Sequence, residues 1–139
     1  MIVVEKARSW IGTPYRHQQK VKGAGCDCLG LLRGVYEEVT GLPSEKPPPY
    51  TPSWGEAQGQ ELMLAAAAKY LVPATEIEPG AVLVFRMKPG AVAKHCSIVT
   101  EKDAMVHAHI RRGVVEEYLV PYWTRRIAGI FKFPEDAIG

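Results

Sequence analysis

Residues 23–32, Gly-Ala-Gly-Cys-Asp-Cys-Leu-Gly-Leu-Leu, set a thiol at the seam between a glycine-rich loop and an apolar-periodic run. Leu29, Leu31, Leu32, Val35, Tyr36 and Val39 recur at helical spacing, which predicts a helix over about 28–40 with Cys28 in its first turn. Gly41 follows as the glycine that ends it. A helix N-terminus leaves backbone N–H groups unpaired and carries the positive end of the macrodipole. Both favour an anion, and the thiolate is the nucleophilic form of cysteine. Local sequence alone marks Cys28 as a candidate nucleophile.

Upstream of this stretch, Val3, Val4, Ala7, Trp10 and Ile11 predict a short helix over 2–11, stopped by Gly12-Thr13-Pro14. A loop rich in Gly, Lys and Gln then leads to Gly25. Downstream, residues 43–54 hold Pro43, Pro47, Pro48, Pro49 and Pro52, and read as a semi-extended surface arm. A third helix is predicted over 56–71, where Ala65–Ala68 supply high propensity. From Gly80 onward the pattern turns to strands, at 81–87, 95–100, 104–110, 113–119 and 127–133. Met87-Lys88-Pro89-Gly90 and Arg111-Arg112-Gly113 mark turns between them. Helices first and then a run of strands argue for an α+β fold with an antiparallel sheet. The chain's 139 residues fit a single domain, 1–139.

Composition excludes several classes. A hydrophobic share of 47% is ordinary for a globular chain, so disordered and collagen-like classes drop out. A net charge of +2, with signs interspersed, gives no electrostatic case for nucleic acid. Three cysteines are too few and too odd for a disulfide scaffold, and suggest free thiols in a reducing compartment. The first residues, Met-Ile-Val-Val-Glu-Lys-Ala-Arg, carry charges where a signal peptide needs an apolar core, and no run approaches the ~20 apolar residues of a membrane span. The expectation is synthesis in the cytoplasm without a signal peptide, so that any action outside it needs another exit route.

A cysteine nucleophile needs a base, usually a histidine, and a group to orient that base. The candidates are His17, His95, His107 and His109. His95 opens one predicted strand and His107 lies on the next, and neighbouring antiparallel strands can bring both rings to one face. His109, two residues from His107, shares that face and rivals it for the third role. Cys96 alternates away from His95 and is expected in the core, while Cys26 reads as a loop thiol. Trp10, Trp54 and Trp123 read as packing residues, Arg125-Arg126 as a solvated edge, and His17 as a loop residue that could meet substrate. Zinc is the competing use of Cys26, Cys28, His95, Cys96, His107 and His109. The C-x-C, H-C and H-x-H spacings lack the usual zinc pattern, so no metal or cofactor is expected.

Several of these segments together resemble a known family. Gly12-Thr13-Pro14-Tyr15-Arg16, Asp27-Cys28-Leu29-Gly30-Leu31, His95 with Ile98, Val106-His107-Ala108 and Pro121-Tyr122-Trp123-Thr124-Arg125-Arg126 are similar to motifs of the NlpC/P60 cysteine peptidases. The Gly-Cys-Asp-Cys-Leu-Gly-Leu run and the proline-rich arm resemble the cell-wall peptidases of tailed phages and gene transfer agents. The resemblance implies a papain-like fold, with Cys28 as nucleophile, His95 as general base and His107 as the orienting third residue. It further implies that Tyr15 helps the Cys28 N–H hold the oxyanion, and that Asp27 recognises the substrate's amino end. The reaction implied is cleavage of a peptidoglycan stem-peptide amide, between γ-D-glutamyl and a diamino acid, during wall penetration by a tail. Tail or baseplate proteins would be partners; the arm, 43–54, is the candidate docking segment, because a preordered segment loses less entropy on binding. Two residues depart from the family pattern: Leu29 stands where many relatives have serine, and Ser97 where glycine is usual. The alternative is a non-catalytic tail module or a wall-binding module on the same fold.

Overall fold

Apolar periodicity at the N-terminus produces α1, Ile2–Ser9, which buries Val3, Val4 and Ala7. It stops short of the predicted end because Trp10 and Ile11 bond back to the carbonyls of Ala7 and Arg8, a tighter turn than the α-helix. The structure is a computed structural model and describes residues 1–45 and 61–135. The loop that follows α1 contains a hairpin that the sequence does not announce, β1 (Lys20–Val21) and β2 (Gly25–Cys26). Two-residue strands are too short to show alternation.

β2 runs into Asp27, the N-cap of α2, Cys28–Thr40. This helix matches the predicted span and ends at Gly41 in the left-handed conformation, φ 71°. It is buried along most of its length, and two interior glycines explain how it fits. A Cβ added at Gly34 would stand 2.2 Å from the Trp10 ring, so the missing side chain is what lets α1 and α2 close on that indole. The Trp10 N–H in turn donates to Glu38 at 2.7 Å.

The described part of the third helix is α3, Leu62–Tyr70; residues 56–60 of the expected span lie outside the described residues, as do Trp54 and most of the proline-rich arm. Leu71 is already extended because it leads into β3 (Val72–Pro73), a strand missed for the same reason as β1 and β2. The later strands lie where alternation places them: β4 (Val82–Phe85), β5 (His95–Glu101), β6 (Ala104–His109), β7 (Gly113–Tyr118) and β8 (Ile127–Lys132). A single-turn helix, α4 (Pro121–Thr124), fills the link before β8. With β3 these strands form one antiparallel sheet in the order β3-β8-β4-β5-β6-β7.

Period-two alternation divides the core into two layers. Val82, Val84, Cys96, Ile98, Val106 and Ala108 pack with Leu31 and Val35 of α2. Leu83, Phe85, Val99 and Met105 point the other way and are covered by Leu119, Trp123 and Ile127. Burying each large aliphatic or aromatic side chain contributes about 1.5–3 kcal/mol, so both faces of the sheet are held independently of strand pairing. The fold is the expected α+β arrangement, with helices packed on an antiparallel sheet.

The Gly34 contact yields a prediction opposite in sign to helix propensity. Gly34→Ala should lower stability by about 1–3 kcal/mol through overpacking against Trp10, although alanine is the better helix former by about 1 kcal/mol. Urea unfolding of the two proteins measures it; a stabilised variant would refute the tight packing.

Candidate active site

The site begins at the N-cap. Asp27 is extended and 2% exposed. Its Oδ1 accepts from the Gly30 N–H at 2.7 Å and its Oδ2 from the Gln18 N–H at 2.8 Å. One carboxylate therefore ties the first turn of α2 to the preceding loop. Gly30 completes the fit, since a Cβ there would stand 1.9 Å from the Gln19 carbonyl oxygen.

This clamp delivers Cys28 to the start of β5. In the thiol form its Sγ donates to the Lys94 carbonyl at 3.6 Å, while the Cys96 thiol donates to the Cys28 carbonyl at 3.3 Å. Cys96 does pack in the core, away from His95, but the core at that point is the end of α2. Hydrogen bonding from Cys96 lowers the Cys28 pKa most; burial opposes it, and hydrogen bonding with His95 and attraction to it bring the value to about 5. Cys26, two residues earlier, moves the opposite way. Burial first, then the charges of Asp27 and Cys28, push its thiol up to about 12.

His95 and His107 share a face, as alternation requires. His95 Nε2 and His107 Nδ1 lie 2.8 Å apart. His95 packs against both Phe85, with ring centroids 5.8 Å apart, and Trp123, at 5.6 Å, and those two rings meet each other at 5.2 Å. The edge of Trp123 also meets His107 at 5.1 Å. Trp123 is thus more than packing: α4 sets it as a wall over both imidazoles, and Arg126 steadies α4 by donating to the Tyr122 carbonyl at 2.5 Å and stacking on the Tyr122 ring.

His107 is 1% exposed, and its Nε2 bonds to the Glu117 carboxylate, whose other oxygen accepts from Arg112 at 3.0 Å. Burial, then the neighbouring His95, lower the His107 pKa to about 4. Burial pulls the Glu117 carboxyl upward, but hydrogen bonds from Arg112 and His107 outweigh it and hold the group below its usual range. Neither Glu117 nor Arg112 is singled out by the sequence. The β6–β7 register pairs His107 with Val115 and Met105 with Glu117, which puts 107 and 117 on one face. His109, the rival third residue, is engaged elsewhere: its Nδ1 accepts the Arg111 and Arg112 N–H groups, each at 3.1 Å, and fastens the hairpin turn.

Tyr15 bridges to Cys26 and is half-buried. Burial and then the Cys28 charge raise its pKa, so its hydroxyl keeps its proton and remains a donor. Ser97 is buried on the histidine face, and its Oγ has no hydrogen-bond partner among the described residues. Leu29 lines an apolar cavity of about 320 Å³ between α2 and α3, with Leu32, Tyr36, Met63 and Tyr70. His17 is exposed on the loop after α1. Among the described residues no three His, Cys, Asp or Glu side chains are grouped as metal ligands.

Residues 12–132 match a family described as the NlpC/P60 family. Over 132 residues the chain is 27% identical to a Gamma-DL-glutamyl hydrolase of Bacillus subtilis (strain 168), covering 94% of this chain and 29% of that protein. The chain thus spans under a third of the length of that curated relative. The NlpC/p60 domain of the peptidoglycan hydrolase SagA is similar with a TM-score of 0.65 and 22% identity, over 95% of this chain and 97% of that one. An NlpC/P60 family protein from Bacillus cereus ATCC 10987 gives 0.68 and 18%, over 94% of this chain and 39% of that one. The peptidoglycan hydrolase RipB from Mycobacterium tuberculosis gives 0.60 and 17%, over 96% and 64%. At these identities the structures speak for the fold.

The depressed His107 pKa has a consequence for stability. Between about 4 and the ordinary histidine value of 6.5 the unfolded chain binds a proton that the folded one refuses. Stability should therefore be fully present above about 6.5 and fall as pH drops toward 4. Measuring urea unfolding in a Cys28→Ala background removes the thiol's own titration, which has the same sign. Adding His107→Gln should flatten the slope; an unchanged slope would place the titration elsewhere.

Proposed function

The chain belongs to the NlpC/P60 family, and from that premise we propose that it is a cysteine peptidase hydrolysing stem-peptide amides of peptidoglycan, between γ-D-glutamyl and a diamino acid. The observation that carries the proposal is a buried thiol in the first turn of a helix, its pKa lowered by Cys96 and His95, with His95 Nε2 2.8 Å from His107 Nδ1. The names of similar proteins support the substrate: two are peptidoglycan hydrolases and one a Gamma-DL-glutamyl hydrolase.

In this reading Cys28 gives its proton to His95, and the thiolate attacks the scissile carbonyl. The new C–S bond leaves a tetrahedral oxyanion, which the Cys28 N–H and the protonated Tyr15 hydroxyl hold. His95 then passes its proton to the departing nitrogen as the C–N bond breaks. Water, activated by the same imidazole, hydrolyses the thioester. His107 orients His95, and Trp123 and Phe85 keep that ring in place and shed water from it. Asp27 holds the thiol's helix turn fixed and presents negative charge to the substrate's amino end. The setting we propose is a phage or gene-transfer-agent tail that opens the wall locally during DNA entry. It is supported by the Gly-Cys-Asp-Cys-Leu-Gly-Leu run. No helix among the described residues is long and apolar enough to cross a membrane.

Mass spectrometry of muropeptides after incubation with the protein tests the reaction. Cys28→Ala and His95→Ala should each lose at least about a hundredfold in rate, His107→Ala should be partly active, and His109→Ala near wild type. Product sets identical for wild type and Cys28→Ala would favour the non-catalytic module. A His109→Ala loss exceeding that of His107→Ala would reassign the third residue.

The tail setting is tested separately. Proteomics of purified particles from the source cells should recover the protein together with tail components. Its absence from particles of full infectivity would remove the tail from the proposal.

A further inference from the structure

We propose that Glu117 is a positioning residue: through His107 it fixes which nitrogen of each imidazole carries the proton, and so makes His95 able to accept one from Cys28. The proposal rests on the reading of Cys28 and His95 as nucleophile and base, and concerns how that pair is made ready.

The hydrogen bonds run inward from the surface. Glu117 has one oxygen committed to Arg112 and the other to His107 Nε2. An ionised carboxylate only accepts, so His107 Nε2 must bear the hydrogen. His107 is buried and neutral at ordinary pH, which allows it a single ring proton. Its Nδ1 is therefore a bare acceptor. That nitrogen faces His95 Nε2 at 2.8 Å, so His95 Nε2 must be the donor. A neutral His95 with its proton on Nε2 has a free lone pair on Nδ1, the nitrogen left for Cys28. When Nδ1 takes the thiol proton, the imidazolium donates from both nitrogens and every bond in the row stays satisfied. The reverse order would put two N–H groups face to face between the histidines, or leave His95 with its acceptor pointing away from the thiol.

The charged and titratable neighbours agree with this order. Asp27, Cys96, His95, Cys26 and Tyr15 surround Cys28; His95, His109 and Glu117 surround His107; Arg112 and His107 face Glu117. Glu117 is the only one of them that contacts His107 as an obligate acceptor, because His109 Nδ1 is occupied by two backbone N–H groups.

Glutamine at this position separates shape from proton order. In Glu117→Gln, Arg112 can only donate and would claim the amide oxygen, turning the NH₂ toward His107 Nε2. His107 would then have to protonate at Nδ1 and oppose the donor on His95. Removing the arginine frees the amide to rotate and offer its oxygen to His107 again.

The test is the pH profile of Cys28 alkylation by iodoacetamide, located by peptide mass mapping, which needs no substrate. Glu117→Gln should shift the profile upward by about one unit or more and slow alkylation on its acid limb, near pH 4, by about tenfold. Arg112→Ala combined with Glu117→Gln should recover much of the loss, which a merely structural role would not do. A Glu117→Gln profile identical to wild type, or a double variant worse than the single, overturns the proposal. If Glu117→Gln does not fold, nitrogen-15 NMR of wild-type imidazoles decides it: His107 must show a protonated Nε2 and a bare Nδ1 at neutral pH, and the opposite pattern refutes it. Failure to cleave muropeptides alongside the expected alkylation pattern would discard the substrate and leave the proton order standing.

Discussion

One buried carboxylate holds the arrangement together. Asp27 accepts the Gly30 N–H inside α2 and the Gln18 N–H in the loop before it. Taking a carboxylate out of water costs several kcal/mol unless charge-assisted hydrogen bonds offset the loss. Two backbone donors and the positive end of α2 supply that offset here. The bonds also fix the pitch and height of the first turn, and with it the Cys28 sulfur between the Lys94 carbonyl and the His95 ring. Gly30 is the matching constraint, because any side chain would strike the Gln19 carbonyl and lift the helix away from its loop.

The sheet makes the complementary contribution. β5 points His95 to one face and Cys96 to the other, yet both touch Cys28, because the thiol sits at the strand's leading end rather than over either face. The two faces do different work. On the helix side Cys96 supplies a hydrogen bond to Cys28. On the other side Phe85, Trp123, His107 and Glu117 build a dry, oriented surround for His95.

The parts of the structure legible in the sequence are those whose signal is local. α2 was readable to the residue because an N-cap, a helical apolar repeat and a terminal glycine coincide within residues 27–41. β5 through β8 were readable from alternation, and the meeting of His95 and His107 follows from that alternation plus antiparallel pairing. What escaped the reading depends on register or on a third element. Glu117 reaches His107 only because Gly113 pairs with His109 and sets the offset of the whole β6–β7 ladder. Trp123 reaches both rings because a one-turn helix, too short to carry periodicity, folds it back over the sheet. Cys96 was correctly expected in the core, but its bond to Cys28 required knowing which helix end forms that part of the core.

The contrast among the three thiols shows how one fold makes a single nucleophile. All three are buried and none is in a disulfide. Burial disfavours the thiolate at each, so burial alone would leave none reactive. At Cys28 the interactions with Cys96 and His95 outweigh it. At Cys26 nothing outweighs it, and the charges of Asp27 and of Cys28 itself add to the penalty. Cys96 is raised for the same reason, with its hydrogen bond to Cys28 the leading cause. Ionising the first thiol therefore disfavours ionising the other two, and Cys96, keeping its proton, donates it to the Cys28 carbonyl. The motif Gly-Cys-Asp-Cys-Leu-Gly-Leu contains two cysteines but admits one thiolate, and the carboxylate between them, together with the strand opposite, decides which.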